Sequence, residues 1–268
     1  MVEEALAAIR SDTVSKVVMA RAVTASYPVS PPGRAPDPVD VVLDLWARNP
    51  GSHVFLFEPG PGRSLVGAAP ETVATVAGGA FRATAVAGSM ARGNTPEEDE
   101  VLARALLDSE KDRREHRFCV EDMVARLDPV AGRVQADLEP HLLPLSAIQH
   151  LETLITGELR DGETALSALE ALHPTPAVCG FPRDPALELL QRSEATRRGW
   201  YAGPVGWFDM AGDGVFVPAL RSAVRRGGEW HLFSGAGIVA GSDPEREWAE
   251  TDIKLKPVLE ALAGGGEP

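Results

Sequence analysis

The chain has few of the residues that mark several common protein classes. Its 268 residues include only two cysteines, Cys119 and Cys179, which lie far apart and form no Cys-x-x-Cys pair. Neither a zinc knuckle nor a disulfide framework is therefore indicated. Basic residues are also scarce, with 26 Lys and Arg against 39 Asp and Glu and a net charge of −13. Nucleic-acid binding is not expected, because phosphate neutralisation needs clustered Lys and Arg.

Long apolar runs are missing as well. No stretch reaches the roughly 18 apolar residues of a membrane-spanning helix, and Met1–Arg10 lacks the basic start and apolar core of a signal peptide. The hydrophobic fraction of 44% and the charged fraction of 24% are typical of a globular protein with a large core. We therefore expect a cytoplasmic protein without membrane association, folded as a single domain over residues 1–268 with a disordered tail at about 264–268.

Strand and helix patterns alternate in blocks along the chain. Gly78-Gly79 joins two strand-like runs and indicates a hairpin, whereas Thr95-Pro-Glu-Glu98 is a capping box that starts a helix. The runs His53–Glu58 and Val215–Val224 each read as one apolar strand, the first of them buried. Because hairpins imply antiparallel pairing, the pattern predicts an α+β fold and not a Rossmann-type sheet.

A stretch near the end of the chain carries the clearest site signal. Gly235 and Gly237 would let another group approach the backbone closely, and Asp243-Pro244 then marks a helix start. Within that helix three charged residues share one face, namely Glu247, Glu250 and Lys254. This face could hold a divalent metal and an organic anion together, or it could be a solvated Glu/Lys surface.

Five further residues are candidates for chemistry, and each has a structural alternative. Glu115, in a helix predicted over Ser109–Leu127, could join Glu247 or Glu250 in binding Mg²⁺, or it could be a surface acid. Lys16 heads an apolar strand, where desolvation would lower its pKa towards that of a general base, unless it is a strand-end lysine in water. Glu71, at the mouth of a hairpin, could be an acid with a raised pKa or an unremarkable glutamate.

The remaining two candidates are an arginine, which is cationic, and a histidine, which becomes cationic when it is protonated. Arg221 interrupts the strand Val215–Val224, and a guanidinium facing inward usually has a carboxylate partner. His173 precedes Pro174 in a loop and could be catalytic or simply hydrogen-bonded.

The motifs taken together resemble the chorismate-utilising enzymes, a superfamily that includes isochorismate, salicylate, anthranilate and aminodeoxychorismate synthases. They occur in the order of that superfamily over nearly the whole chain: KVVMAR, LVGAAPE, AVAGSMARG, KDRREH, HPTPAVCGFPR, GWYAGPVGW, ALRSA, LFSGAGIV and EWAETDIKLKP. The HPTPA segment is the version associated with isochorismate synthases. A lysine at position 16 is typical of members that add water and not ammonia.

The resemblance implies a fold with antiparallel β-sheets in a sandwich flanked by helices. Family members carry a further N-terminal segment that is missing here, which would expose a sheet edge. The implied activity is that of an Mg²⁺-dependent isochorismate synthase, which adds water to ring carbon 2 of chorismate with loss of the 4-hydroxyl. Two alternatives stay open: a salicylate synthase, and a truncated chorismate-binding module without catalysis. Whether the product feeds siderophore or menaquinone synthesis is not decided by the sequence.

The resemblance also assigns roles to individual residues. Lys16 would be the general base, Glu71 the general acid, and His173 would approach the ring or its carboxylate. Mg²⁺ would be held by Glu115 and Glu250, with Glu247 and Asp112 near it through water. The other implied substrate-binding or pocket residues are Gly88, Ala177, Val178, Tyr201, Leu220, Arg221, Phe233, Gly235, Gly237 and Lys254. Chorismate is the only partner implied, without a glutamine amidotransferase subunit, and we expect a monomer.

Overall fold

The computed structural model describes residues 1–27 and 35–264. Apart from Gly264, the predicted disordered tail therefore lies outside the described residues. The helices are α1 (Val2–Arg10), α2 (Pro38–Arg48), α3 (Pro96–Asp108), α4 (Glu110–Leu127), α5 (Ala165–Leu172), α6 (Arg183–Ser193) and α7 (Pro244–Gly264). The strands are β1 (Lys16–Ser26), β2 (His53–Gly60), β3 (Arg63–Ala69), β4 (Ala74–Ala77), β5 (Ala80–Ala91), β6 (Ala131–Ala136), β7 (His141–Pro144), β8 (Ile148–Leu159), β9 (Gly180–Phe181), β10 (Pro204–Phe208), β11 (Gly214–Pro218), β12 (Ser222–Arg226) and β13 (Glu229–Val239).

The described strands form two antiparallel sheets. One has the order β2-β3-β12-β13-β1-β9, and the other has the order β10-β11-β4-β5-β8-β6 with β7 also paired to β8. The longest ladder of the first sheet joins β1 to β13, so that Lys16 lies opposite Val239 and Ser26 opposite Glu229. The predicted α+β class with antiparallel sheets and flanking helices is thus confirmed.

The helices cover the two sheets with apolar side chains. Helices α4 and α5 pack on the second sheet through residues such as Met123, Leu127 and Leu172. Helices α2 and α7 pack on the first sheet around the fully buried Trp230. Helices α1 and α6 meet β1 and β13 at the other end of that sheet. As a result α4 and α7 are each fixed against a different sheet.

The predicted helix starts are confirmed by their capping contacts. The Thr95 hydroxyl accepts a hydrogen bond from the Glu98 amide at 3.2 Å, and the Asp243 carboxylate accepts one from the Arg246 amide at 3.0 Å. Each contact satisfies an amide that has no partner inside the helix. The Gly78-Gly79 hairpin is also present, between β4 and β5.

Several strand predictions need correction. The run Val215–Val224 is not one strand but two, β11 and β12, which belong to different sheets. Pro218 ends the first because it has no N–H for a ladder, and Arg221 turns the chain with a φ of 45°. The strand at His53–Glu58 exists but is partly exposed, because β2 is an edge strand of its sheet. Strand β7 was not predicted.

Two structural findings concern the cysteines and the helices. Cys119 and Cys179 are both buried free thiols, so no disulfide joins them. Across residues 1–27 and 35–264, every helix is too short or too polar to cross a membrane.

Candidate active site

A cavity of about 550 Å³ lies where the two sheets meet helices α4 and α7. The first sheet contributes residues of β1 and β13, and the second sheet contributes residues of β5 and β8. Most of the predicted site residues line this cavity: Lys16, Glu71, Gly88, Asp112, Glu115, Ala177, Leu220, Arg221, Gly235, Gly237, Glu247, Glu250 and Lys254. The fold therefore brings together side chains that are separated by more than two hundred positions in the sequence.

Four predicted residues lie outside the cavity: His173, Val178 and Tyr201 line a different pocket near α6, and Phe233 lines a pocket on the first sheet. His173 follows α5 directly and is held by its own main chain, since its amide bonds to Leu169 and its carbonyl accepts from Arg183. The prediction that His173 approaches the ring is thus not supported by its position. Tyr201 lies behind the cavity wall, where its hydroxyl is 3.2 Å from the place that a Cβ on Gly235 would take.

Lys16 is the first residue of β1 and is almost completely buried, with 1% of its surface exposed. Its Nζ lies 2.9 Å from Glu115 Oε1 and donates to Cys119 Sγ at 3.4 Å. Burial lowers the pKa of Lys16, but the adjacent groups outweigh that effect and raise the pKa above its ordinary value. Burial also raises the pKa of Cys119 to about 11, so the thiol is neutral near pH 7 and Glu115 supplies the negative charge. The predicted lowering of the Lys16 pKa is therefore wrong.

Glu71 lies in the connection between β3 and β4 and is 7% exposed. Burial raises the pKa of its carboxyl to about 7, although the nearby cations Arg221, Lys16 and Lys254 act in the opposite direction. The group is therefore present in both protonation states near neutral pH. This agrees with the interpretation of Glu71 as an acid with a raised pKa, and a group with that pKa can give up a proton efficiently near pH 7.

Three carboxylates and three lysines surround one side of the cavity in pairs. Glu115 pairs with Lys16 at 2.9 Å, Glu247 with Lys111 at 3.3 Å and Glu250 with Lys254 at 2.5 Å. Within the described part of the chain, no three His, Cys, Asp or Glu side chains are grouped closely enough to hold a metal ion by themselves. The donor set nevertheless fits Mg²⁺, which prefers oxygen ligands and is commonly held by one or two carboxylates, with waters and substrate completing its shell.

The glycines of β13 make room for these charged groups. A Cβ on Gly237 would lie 2.5 Å from Glu115 Oε1 and 3.1 Å from Lys16 Cε. Any larger residue at this position would displace the Lys16–Glu115 pair. The carbonyl of Gly235 accepts a hydrogen bond from Lys254 Nζ at 3.1 Å, which fixes the lysine of α7 against the strand.

His150 of β8 is a site residue that the sequence reasoning missed. Its Nε2 lies 3.2 Å from Arg221 Nη2, and its Nδ1 lies 2.9 Å from the Ser89 hydroxyl and 3.3 Å from the Gly88 carbonyl. Because a guanidinium only donates, Nε2 must be the acceptor and Nδ1 carries the proton. Burial lowers the pKa of His150 well below its usual range. No sequence signal singled it out, because β8 also carries Gln149, Glu152 and other polar residues.

Comparison with known proteins decides which family has this arrangement. The family described as "Chorismate binding enzyme" matches residues 1–263. The chain belongs to this family. The resemblance inferred from the ordered motifs is thereby confirmed, and the fold is the chorismate-binding fold.

Relatives of this chorismate-binding chain can be compared over almost all of its length. It is 39% identical to the salicylate biosynthesis isochorismate synthase of Pseudomonas aeruginosa, over 99% of this chain and 54% of that protein. The menaquinone-specific isochorismate synthase of Escherichia coli superimposes with a TM-score of 0.88 at 31% identity, over 97% of this chain and 59% of that one. Anthranilate synthase component I of Streptococcus pneumoniae gives 0.81 at 28% identity, over 96% and 56%. The chain spans between half and two thirds of the length of the first curated relatives.

Proposed function

We propose that this chain converts chorismate into isochorismate in an Mg²⁺-dependent reaction, by adding water at ring carbon 2 with loss of the 4-hydroxyl group. The observation that carries the proposal is a single cavity lined by two buried groups suited to proton transfer, Lys16 and Glu71. Similarity to proteins named isochorismate synthases, at 39% and 31% identity, supports the choice of reaction.

Glu71 is the proposed general acid. Its pKa of about 7 leaves a protonated fraction at neutral pH, and it shares the cavity with cations that would attract an anionic substrate. Protonation of the departing 4-hydroxyl avoids the release of hydroxide, which is a poor leaving group. A positioned acid of this kind typically contributes about 10²–10⁴-fold to the rate.

Lys16 is the proposed general base, and its partner Glu115 sets the condition for that role. The Glu115 carboxylate, 2.9 Å away, keeps the lysine protonated. Lys16 can accept a proton from water only when this carboxylate turns away from the ammonium group. Burial is then the main influence on the lysine, and it lowers the pKa towards the range of a base.

Glu115, Glu247 and Glu250 are the residues that would hold Mg²⁺, since their oxygen donors line the same cavity. When bound, the metal would neutralise carboxylate charge on a substrate that a protein with a net charge of −13 otherwise repels. A second carboxylate of the substrate would be bound by Lys254, Arg221 and the backbone of Gly235. Lys254 and Arg221 are hydrogen-bond donors, and they are held in place by Gly235 and His150 respectively.

Other expectations from the sequence stay predictions. We expect a cytoplasmic monomer. We also expect that it needs no glutamine amidotransferase, because Lys16 is suited to activating water and not to receiving ammonia. Product use in siderophore or menaquinone synthesis is not distinguished by the geometry of the cavity.

The test is incubation of the chain with chorismate, with and without Mg²⁺, followed by chromatography of the products. Isochorismate formed only with Mg²⁺ would support the proposal, and the variant Glu71→Gln should form none. Glu260→Gln, an exposed glutamate further along α7, is the matched control and should behave as the wild type. Salicylate with pyruvate as products would replace the proposal by a salicylate synthase. Binding of chorismate without turnover would identify a non-catalytic binding module.

A further inference from the structure

A second cavity, of about 520 Å³, lies against the first sheet and shares no lining residue with the candidate active site. Strands β3, β12 and β13 contribute to it, together with the segment that follows α6. We call it the arginine cavity, and its residues used below are Arg63, Arg197, Arg198, Trp200, Arg226 and Phe233. A basic concave surface is unusual in a chain whose net charge is −13.

Of the four arginines used below, three have no acidic partner among the described residues. Across residues 1–27 and 35–264, no carboxylate oxygen lies within 4.0 Å of the side-chain nitrogens of Arg63, Arg197 or Arg226, whereas Arg198 pairs with Glu194 at 2.6 Å. Arg63 and Arg226 also lie directly opposite each other on β3 and β12. Like charges opposite each other in an antiparallel pair are destabilising, so this arrangement favours an anion between them.

The acid opposite Arg226 on the neighbouring strand does not neutralise the charge of the arginines. Glu229 lies opposite Arg226 on β13, but its carboxylate contacts the Ser26 hydroxyl at 3.5 Å and His231 Nε2 at 3.6 Å. The arginine cavity is therefore locally positive in a chain whose net charge is −13. Such a local field raises the concentration of an anionic ligand at the cavity.

Aromatic side chains form the other part of the lining. Trp200 is 38% exposed, and its ring meets Phe57 edge to face at 5.9 Å between centroids. Phe233 is stacked on Tyr201 at 5.3 Å, which holds its ring in place. Flat apolar surface beside guanidinium groups suits a ligand that has both a ring and a negative charge. The volume is within the range of about 300–1,000 Å³ that is usual for small-molecule sites.

We propose that the arginine cavity binds a small aromatic carboxylate. The carboxylate would accept paired hydrogen bonds from Arg63 and Arg226, and the ring would lie against Trp200 and Phe233. Guanidinium forks match a carboxylate in geometry as well as in charge. This inference is independent of the proposed function, because it rests on residues that do not line the active-site cavity.

The test is titration of the full chain with benzoate, followed by calorimetry at constant ionic strength, with acetate and inorganic phosphate as comparison anions. We expect benzoate to bind more tightly than either. The double variant Arg63→Gln/Arg226→Gln should bind benzoate about a hundredfold more weakly, since each hydrogen bond to a charged group is worth roughly a factor of ten or more. Arg226→Lys, which keeps the charge but loses the fork, should give an intermediate loss.

Two controls separate this site from other effects. Arg82→Gln removes an exposed strand arginine outside the arginine cavity and should leave benzoate binding unchanged. Lys254→Gln alters the active-site cavity alone, so it removes any benzoate bound there and should leave the binding that the double variant loses. Unaltered binding in the double variant, complete loss of binding in Lys254→Gln, or equally tight binding of acetate or phosphate would overturn the proposal.

Discussion

The substitution Glu71→Gln gives the sharpest test, because it should change activity and stability in opposite directions. An amide keeps the size of the glutamate side chain but can neither donate an acidic proton nor become charged. The wild-type carboxyl is buried and its pKa is raised to about 7, whereas an unfolded glutamate titrates near 4.5. Loss of the carboxyl should therefore abolish turnover. It should also remove the loss of folding stability that the protein suffers when the buried Glu71 is ionised.

The size and sign of that loss of stability follow from the two pKa values. The folded state binds the proton more tightly than the unfolded state, so the contribution to stability is fully present below about pH 4.5 and is lost as the pH rises through about 7. At about 1.4 kcal/mol for each pH unit between the two pKa values, the full effect is roughly 3 kcal/mol. Most of this, on the order of 2–3 kcal/mol, should appear between pH 5 and pH 8.5.

The assay is urea unfolding of the wild type and Glu71→Gln at both pH values, together with the pH dependence of kcat/KM for chorismate. The free energy of unfolding of the wild type minus that of the variant should be lower at pH 8.5 than at pH 5, by on the order of 2–3 kcal/mol. In the wild type, kcat/KM should fall as the pH rises through about 7. A stability difference that is the same at both pH values would refute the burial argument, and turnover above about a tenth of the wild type in Glu71→Gln would refute the acid role.

Three further predictions address the other charged groups of the cavity. Lys16→Gln should form no isochorismate, but it should form a trace of the amino adduct at high ammonium concentration and raised pH. Mass spectrometry of the products checks this, and undiminished isochorismate would show that another group activates water. Glu250→Gln should lose Mg²⁺-dependent turnover by at least about a hundredfold while its thermal unfolding stays cooperative, because one anionic ligand is removed at constant volume, and Glu260→Gln should change neither. Gly237→Ala should reduce turnover about tenfold or more. The new Cβ would lie 2.5 Å from Glu115 Oε1 and would displace that carboxylate from Lys16, whereas a kcat equal to that of the wild type would show that the Lys16–Glu115 pair tolerates the shift.

Local sequence signals were sufficient wherever the structure depends on neighbouring residues. The Thr95 and Asp243 helix starts and the Gly78-Gly79 hairpin each involve contacts within a few positions. Helical periodicity likewise put Glu250 and Lys254 on one face, where they form an ion pair. Position in the ordered motifs extended this to residues far apart in sequence, so that most of the predicted site residues line one cavity.

The tertiary structure alone decided the charge states and the last site contacts. Whether Lys16 is a free base depends on Glu115 and Cys119, which reach it from α4 through space and not through the chain. The role of His150 depends on Arg221, 71 positions away in a break between two sheets. The position of His173 could not be predicted for the same reason, because its main chain is held by the end of α5 and by Arg183. A pKa follows from burial and from the groups packed around a side chain, and one-dimensional spacing specifies neither of these.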